Sequence, residues 1–205
     1  MKRMKKRPRA LIPLLCYGIA LAAWLVFSTL FLLGDLAARA GGRLGAQSIS
    51  TAEFEMISLM PQEEGEWVAT DADPQMIWIN PDGRTVRSLT LTAQHTARIG
   101  EMALYYIEQP GEPFSREKRV QPVVNGDGSY LFFLPAADVH ALRLDPCSTV
   151  QLMRGLSVEM NTDCPVYRYY ALSYRQIFAL LLLPGLAASG VHVACAAWQR
   201  RKRRD

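Results

Sequence analysis

From Ala10 to Gly34 the chain runs for 25 residues without a charge, mostly in Leu, Ala, Ile, Val and Phe, and Gln176 to Gln199 adds a second run of 24. A bilayer core takes about 20 apolar residues as a helix. Both runs therefore predict membrane-spanning helices, over 10–34 and 175–198. Between them the period falls to two. Ser88-Leu89-Thr90-Leu91-Thr92-Ala93, Ala141-Leu142-Arg143-Leu144-Asp145 and Leu156-Ser157-Val158-Glu159-Met160 alternate apolar with polar residues. Alternation of that kind marks strands with one face on a core. Phe54–Leu59, Glu66–Thr70, Gln75–Ile79, Met102–Ile107, Val120–Val124 and Tyr130–Leu134 read as further strands with weaker patterning.

Turn signals separate these runs: Asn80-Pro81-Asp82-Gly83, Gln109-Pro110-Gly111 and Asn125-Gly126-Asp127-Gly128. Eight or nine short strands at regular spacing, with no long helix among them, predict an all-β antiparallel sandwich of jelly-roll-like or immunoglobulin-like type. The expected organisation is a basic tail over 1–9, a first span over 10–34, and a linker or helical extension over 35–48. A β-sandwich follows over 49–174, then a second span over 175–198 and a basic tail over 199–205.

Charge adds direction to this plan. The 205 residues carry a formal net charge of +4, but residues 1–9 hold six cations and no acid, and residues 200–205 hold five cations against Asp205. Residues 34–175 hold 12 basic and 18 acidic side chains. A nucleic-acid binder would place its basic stripe on the folded domain, so that class is excluded. Basic tails flanking apolar runs are topology signals. They predict a bacterial cytoplasmic-membrane protein with both termini cytoplasmic and the central domain extracytoplasmic, with membrane lipid as a partner. Tyr167, Tyr169, Tyr170 and Tyr174 suit the outer aromatic belt and Trp198 the inner one. A cleaved signal ending near Ala38-Arg39-Ala40 is the alternative for the first run. That run exceeds the usual 7–15 residue signal core, which favours an uncleaved anchor. Pro13 and Pro184 fall inside the spans, and Gly18/Ala22 and Gly185/Ser189 are small pairs that let helices approach. Within the two uncharged runs His192 is the one ionisable side chain apart from tyrosine and cysteine, near the inner interface.

Of the four cysteines, Cys16 and Cys195 lie in the spans and read as packing residues. Cys147 and Cys164 lie in the exported part, where a disulfide is permitted, and a bridge between them is expected. Catalytic motifs are missing: there is no Gly-x-Ser-x-Gly, no His-Glu-x-x-His and no phosphate loop. His95 and His140 stand apart, and Glu63-Glu64 and Asp71/Asp73 sit in turn-like stretches as solvated charge. A calcium site using Asp71, Asp73 or Asp82 is the sharper alternative. No cofactor or metal is expected. Trp67, Trp78 and Tyr105 are the candidate ligand-binding rings, since sugars stack their apolar faces on exposed aromatics. Tyr105 and Tyr106 must point to opposite sheet faces.

One series of motifs runs through the domain: Glu66-Trp67-Val68-Ala69-Thr70, Asp73-Pro74-Gln75-Met76-Ile77-Trp78, Leu104-Tyr105-Tyr106, Phe114-Ser115, Tyr130-Leu131-Phe132-Phe133-Leu134-Pro135 and Leu142-Arg143-Leu144-Asp145-Pro146. Over about residues 70–165 this resembles the exported β-sandwich modules of bacterial multi-pass membrane proteins linked to cell-surface polysaccharide and glycosyl transfer. The resemblance implies a sandwich in a cell-envelope setting. With two spans in place of a catalytic membrane core, it implies no activity. The expected function is non-enzymatic binding of a glycan, a lipid-linked glycan or an envelope partner at the membrane surface. The alternative is an accessory subunit of a larger glycosyltransferase, polymerase or transporter.

Overall fold

The computed structural model describes residues 11–80, 82–134 and 138–202, with the side chain of Glu64 left out. The basic tail expected over 1–9, Ala10, Pro135 of the motif series and residues 203–205 lie outside the described residues. The chain divides into two compact units, residues 1–35 with 165–205, and residues 36–164.

The first unit contains two helices, α1 (Leu11–Ala40, whose last turn belongs to the second unit) and α2 (Tyr174–Arg201), and a short 3-10 turn, Val166–Tyr170. Both helices are long and apolar enough to cross a membrane, with mean hydropathy of 2.1 and 2.0. α1 runs on to Ala40, so the first part of the expected linker is helical extension. Ser173 caps α2 by accepting from the Gln176 amide, while the Gln176 side chain accepts from the Ser173 amide. Pro184 sits inside α2, where it removes one backbone donor. Nearby, the Tyr17 hydroxyl donates to the Leu181 carbonyl at 2.8 Å. Tyr169 donates to buried Asp35 at 3.1 Å and packs on Phe31, while Tyr170 bonds Thr29 and meets Trp24 edge-on.

The second unit contains twelve strands among the described residues. They are β1 (Gln47–Ile49), β2 (Glu55–Ile57), β3 (Leu59–Pro61), β4 (Trp67–Ala69), β5 (Gln75–Ile79), β6 (Ser88–His95), β7 (Ala103–Ile107), β8 (Arg119–Val120), β9 (Val123–Val124), β10 (Tyr130–Phe133), β11 (Ala141–Asp145) and β12 (Gln151–Met160). They form two antiparallel sheets. One runs β3-β4-β12-β6-β10-β9, with β1 on the far end of β12; the other runs β2-β5-β11-β7-β8. Leu89, Leu91, Phe132, Met153, Val158 and Met160 from the first sheet share one core with Met76, Trp78, Leu104, Leu142 and Leu144 from the second. That is the expected β-sandwich, two inner faces closed on each other.

The strand count exceeds the eight or nine expected because two runs change sheets midway and because β1 forms at the end of the expected linker. Phe54–Leu59 breaks at Ser58, which adopts φ 56° and divides β2 in one sheet from β3 in the other. Val120–Val124 breaks around Pro122, dividing β8 from β9 in the same manner. Both halves stay extended, so the local pattern reads as one strand. The third irregularity is a bulge between Arg154 and Ser157 of β12, where Gly155 takes φ 61°. Asn161 ends β12 in the left-handed region at φ 57°. It is buried, its Oδ1 accepts from the Arg87 amide at 2.8 Å, and its Nδ2 donates to the Thr85 carbonyl at 2.8 Å. The Arg39 guanidinium donates to the carbonyls of Asn161 and Thr162, at 2.9 and 3.0 Å.

Candidate functional site

The outer face of the second sheet carries the concentration of chemistry. Leu142 and Leu144 of β11 point inward, so Arg143 and Asp145 share the opposite face. The register then lines up Arg119, Tyr105, Arg143, Ile77 and Glu55 across all five strands. Around this row lies a cleft of about 170 Å³ lined by Asp73, Glu101, Tyr105, Arg119, Arg143 and Asp145, with Ala72, Ala103, Cys147 and Ser148 completing it.

Its groups are held in fixed pairs. Arg143 donates from Nε to Asp145 Oδ1 at 2.8 Å and from one terminal nitrogen to Asp145 Oδ2 at 2.9 Å, and that nitrogen also reaches Asp73 Oδ1 at 3.0 Å. Arg119 pairs with Glu101. Burial pushes the Asp145 carboxyl above the usual aspartate range, and the Arg143 hydrogen bonds pull against it. For Arg143, burial alone would weaken the cation; the bond to Asp145 and the charges of Asp145 and Asp73 outweigh it and hold the guanidinium above its ordinary value. At the rim, Ser148 Oγ accepts from the Glu101 amide at 2.7 Å. Gly100, at φ 70°, lies so close that a Cβ there would run into the Ser148 hydroxyl. The rim therefore depends on glycine at this position.

Tyr105 is half-buried in the cleft, where the expected ligand-binding ring lies. Its ring is not an open platform. The guanidinium carbons of Arg143 and Arg119 stand 5.2 and 5.8 Å from its centroid. Tyr106, as alternation demands, turns inward and packs on the core. Trp78 corrects the expectation: it is 1% exposed, on the inner face of β5 between Ile77 and Ile79, which point out. No ligand can stack on it in this conformation. Trp67 is half-buried on β4 of the other sheet and packs against the core, so the structure does not bring it together with Tyr105.

The expected Cys147–Cys164 bridge is also corrected, since neither cysteine is disulfide-bonded. Cys147 precedes β12 and Cys164 follows it. Ten extended residues separate their ends by about 30 Å, whereas bridged cysteines need Cα atoms within about 7 Å. Cys147 is buried and its thiol reaches the Thr149 carbonyl at 3.4 Å. The acids weighed for calcium have protein partners. Asp71 accepts from Ser58 and the Asp73 amide, Asp73 from Gln75 and Arg143, and Asp82 from Arg84. Among the described residues no cluster of three His, Cys, Asp or Glu could hold a metal. Neither His95 nor His140 lines the cleft. His95 lies on β6 of the first sheet against the Tyr130 ring, 5.9 Å between centroids.

Arg143, Asp145, Arg119 and Glu101 are the site residues that sequence reasoning passed over. The signal was present in Leu-Arg-Leu-Asp, which places a cation and an anion on one face two residues apart.

No protein-family model and no curated protein matches the chain. Among solved structures it is similar to a low-affinity xylan-binding module, CBM86, from the gut symbiont Roseburia intestinalis. The likeness has a TM-score of 0.39 and 10% identity, over 57% of this chain and 94% of that one. The sandwich itself is defined by the strand pairing of this chain.

Proposed function

We propose that this chain is a membrane-anchored binding protein, without catalytic activity, whose β-sandwich takes a neutral, hydroxyl-rich glycan in the outer-face cleft. α1 and α2 serve as the two anchors, with both termini cytoplasmic and the sandwich on the outer side as an ectodomain. The observation that carries the reading is the composition of the cleft: two guanidiniums and three carboxylates fixed around Tyr105. A sugar hydroxyl donates and accepts at once, so donors and acceptors held side by side suit it. Their net charge is one negative, which disfavours an anionic sugar. The cleft is smaller than the 300–1,000 Å³ of drug-sized sites, so it suits one or two sugar units and a weak affinity. A lipid-linked glycan fits an ectodomain anchored at both ends.

The test is a glycan array probed with the full chain in mild detergent. Binding lost in Arg143→Ala and in Tyr105→Ala, and kept in Trp67→Ala, supports the reading. Binding that survives both cleft variants, or is lost with Trp67→Ala alone, overturns it. A second reading has its own observation. Ile57 and Ile79 lie exposed on the same sheet face, at β2 and β5. They favour an accessory subunit whose membrane-protein partner covers that edge; a stoichiometric partner retained on purification and lost in Ile79→Asp would support it.

A further inference from the structure

We propose that Asn125, in the turn between β9 and β10, is a site of spontaneous deamidation, where the chain converts its own amide to a carboxylate with water as the co-reactant.

The chain has three asparagines, and their surroundings differ. Asn80 precedes Pro81, whose nitrogen carries no hydrogen, and its side chain is tied to Arg84 and Val139. Asn161 is buried, tied to Thr85 and Arg87, and followed by the crowded backbone of β-branched Thr162. Asn125 is followed by Gly126-Asp127-Gly128. The Gly128 amide donates to the Asn125 carbonyl at 3.1 Å, and the Asn125 amide to the Ser129 carbonyl at 2.8 Å, which closes the turn. Gly126 is exposed on that turn, and among the described residues no hydrogen bond holds its amide. With no Cβ beside it, that nitrogen can approach the preceding side chain. The Asn125 side chain has one tie among the described residues, from Nδ2 to the Ser129 hydroxyl at 2.9 Å.

In the reaction a solvent base takes the Gly126 amide proton, and the nitrogen bonds to Asn125 Cγ. The Cγ–Nδ2 bond breaks and Nδ2 leaves as ammonia, which closes a succinimide ring. Water then adds to either ring carbonyl and opens it to aspartate or isoaspartate. The net change is amide plus water to carboxylic acid plus ammonia, with nothing oxidised or reduced. The new carboxylate no longer donates to Ser129, whose amide and hydroxyl already serve Asp127 at 2.9 and 2.7 Å. The isoaspartate form adds a backbone carbon between Val124 and Tyr130, which pair across the hairpin. β9 is a two-residue strand at a sheet edge, so the conversion loosens that edge irreversibly.

The experiment incubates the full chain, folded in mild detergent at mildly alkaline pH, and follows each asparagine over time by peptide mass mapping. An isoaspartyl-specific methyltransferase marks the rearranged product. Asn125 is expected to gain the mass of an amide-to-acid change, split between two products, while Asn80 and Asn161 stay intact. Gly126→Ala should slow the conversion several-fold; nothing lies within 4 Å of the added Cβ, so the turn has room for it. An intact Asn125 in the folded chain overturns the proposal, whether or not the unfolded chain converts. Conversion at Asn161 as fast as at Asn125 overturns the assignment of the site. A wild-type rate in Gly126→Ala, with an unchanged melting curve, overturns the succinimide route. If that variant melts early, a lack of isoaspartate among the wild-type products overturns the route instead.

Discussion

Arg143 and Asp145 meet side-on, two residues apart on β11, through bonds of 2.8 and 2.9 Å. The Asp145 side chain is 13% exposed, so its charge is tolerated largely because the guanidinium is there. Arg143→Ala strands that carboxylate, with an expected cost of about 1–3 kcal/mol. Asp145→Asn should cost less, because the amide oxygen still accepts and no charge is buried. The double variant should recover part of the Arg143→Ala loss. Thermal melts of the four proteins give the coupling directly; additive losses would mean the two residues do not act as a pair.

Asn161 gathers more bonds than any neighbour at the end of β12. It holds φ 57°, bonds Thr85 and Arg87 through its side chain, and sends its own amide to the Ser88 carbonyl at 2.8 Å. Asn161→Ala loses both side-chain bonds and strains the backbone, an expected cost of about 3 kcal/mol. Asn161→Gly relieves the backbone and loses only the bonds, so it should melt above Asn161→Ala. The reverse order would show that the left-handed backbone is not what Asn161 is there to provide.

How far this was legible follows from what each signal measures. Alternation over 88–93, 141–145 and 156–160 comes from the pleat itself, and each of those runs is a strand. The sheet changes at Ser58 and Pro122 left no mark, because a chain that crosses between layers stays extended on both sides. Apolar residues on both faces of β5 hid which way Trp78 points: Ile77 and Ile79 are as hydrophobic as Met76 and Trp78. Cys147 and Cys164 are close in sequence, but only the structure shows that a ten-residue strand lies between them and that they form no bridge. The cleft assembles from β7, β8 and β11 by register, which no local pattern records.

His95 gives the pH response. Burial holds its imidazole below the ordinary histidine value, with a Gln151 hydrogen bond acting weakly in the opposite direction. The unfolded chain therefore binds this proton more readily than the folded one. Stability from this group is complete above about pH 6.5 and is lost as pH falls through the lower folded value. Melting temperature should fall across that acid window, and His95→Phe, which keeps a ring against Tyr130, should flatten the fall. An equal slope in His95→Phe would assign the acid response elsewhere.

The thiols give a mass measurement. Cys147 and Cys164 are not disulfide-bonded, and Cys147 is buried. Alkylation of the full chain without prior reduction should label Cys164 in the folded state and Cys147 only after denaturation. A Cys147–Cys164 peptide linked by a disulfide would contradict the separation imposed by β12.

The two long helices contact each other at a point where α2 is least regular. Pro184 has no amide hydrogen to give the Leu180 carbonyl, and one residue on the Leu181 carbonyl accepts from Tyr17. Gly185 makes room for that hydroxyl, since a Cβ there would stand 3.2 Å from it. Tyr17→Phe should weaken the helix pair by about 0.6 kcal/mol, the average for a hydrogen bond between membrane helices. Gly185→Ala asks only the far end of a flexible side chain to move and should be nearly silent. Gly185→Leu fills the space the tyrosine occupies and should cost more than Tyr17→Phe. Unfolding of the reconstituted chain in dodecyl sulfate, read by helical circular dichroism, ranks the three. If Gly185→Leu unfolds with the wild type, the hydroxyl of Tyr17 does not hold the two helices together.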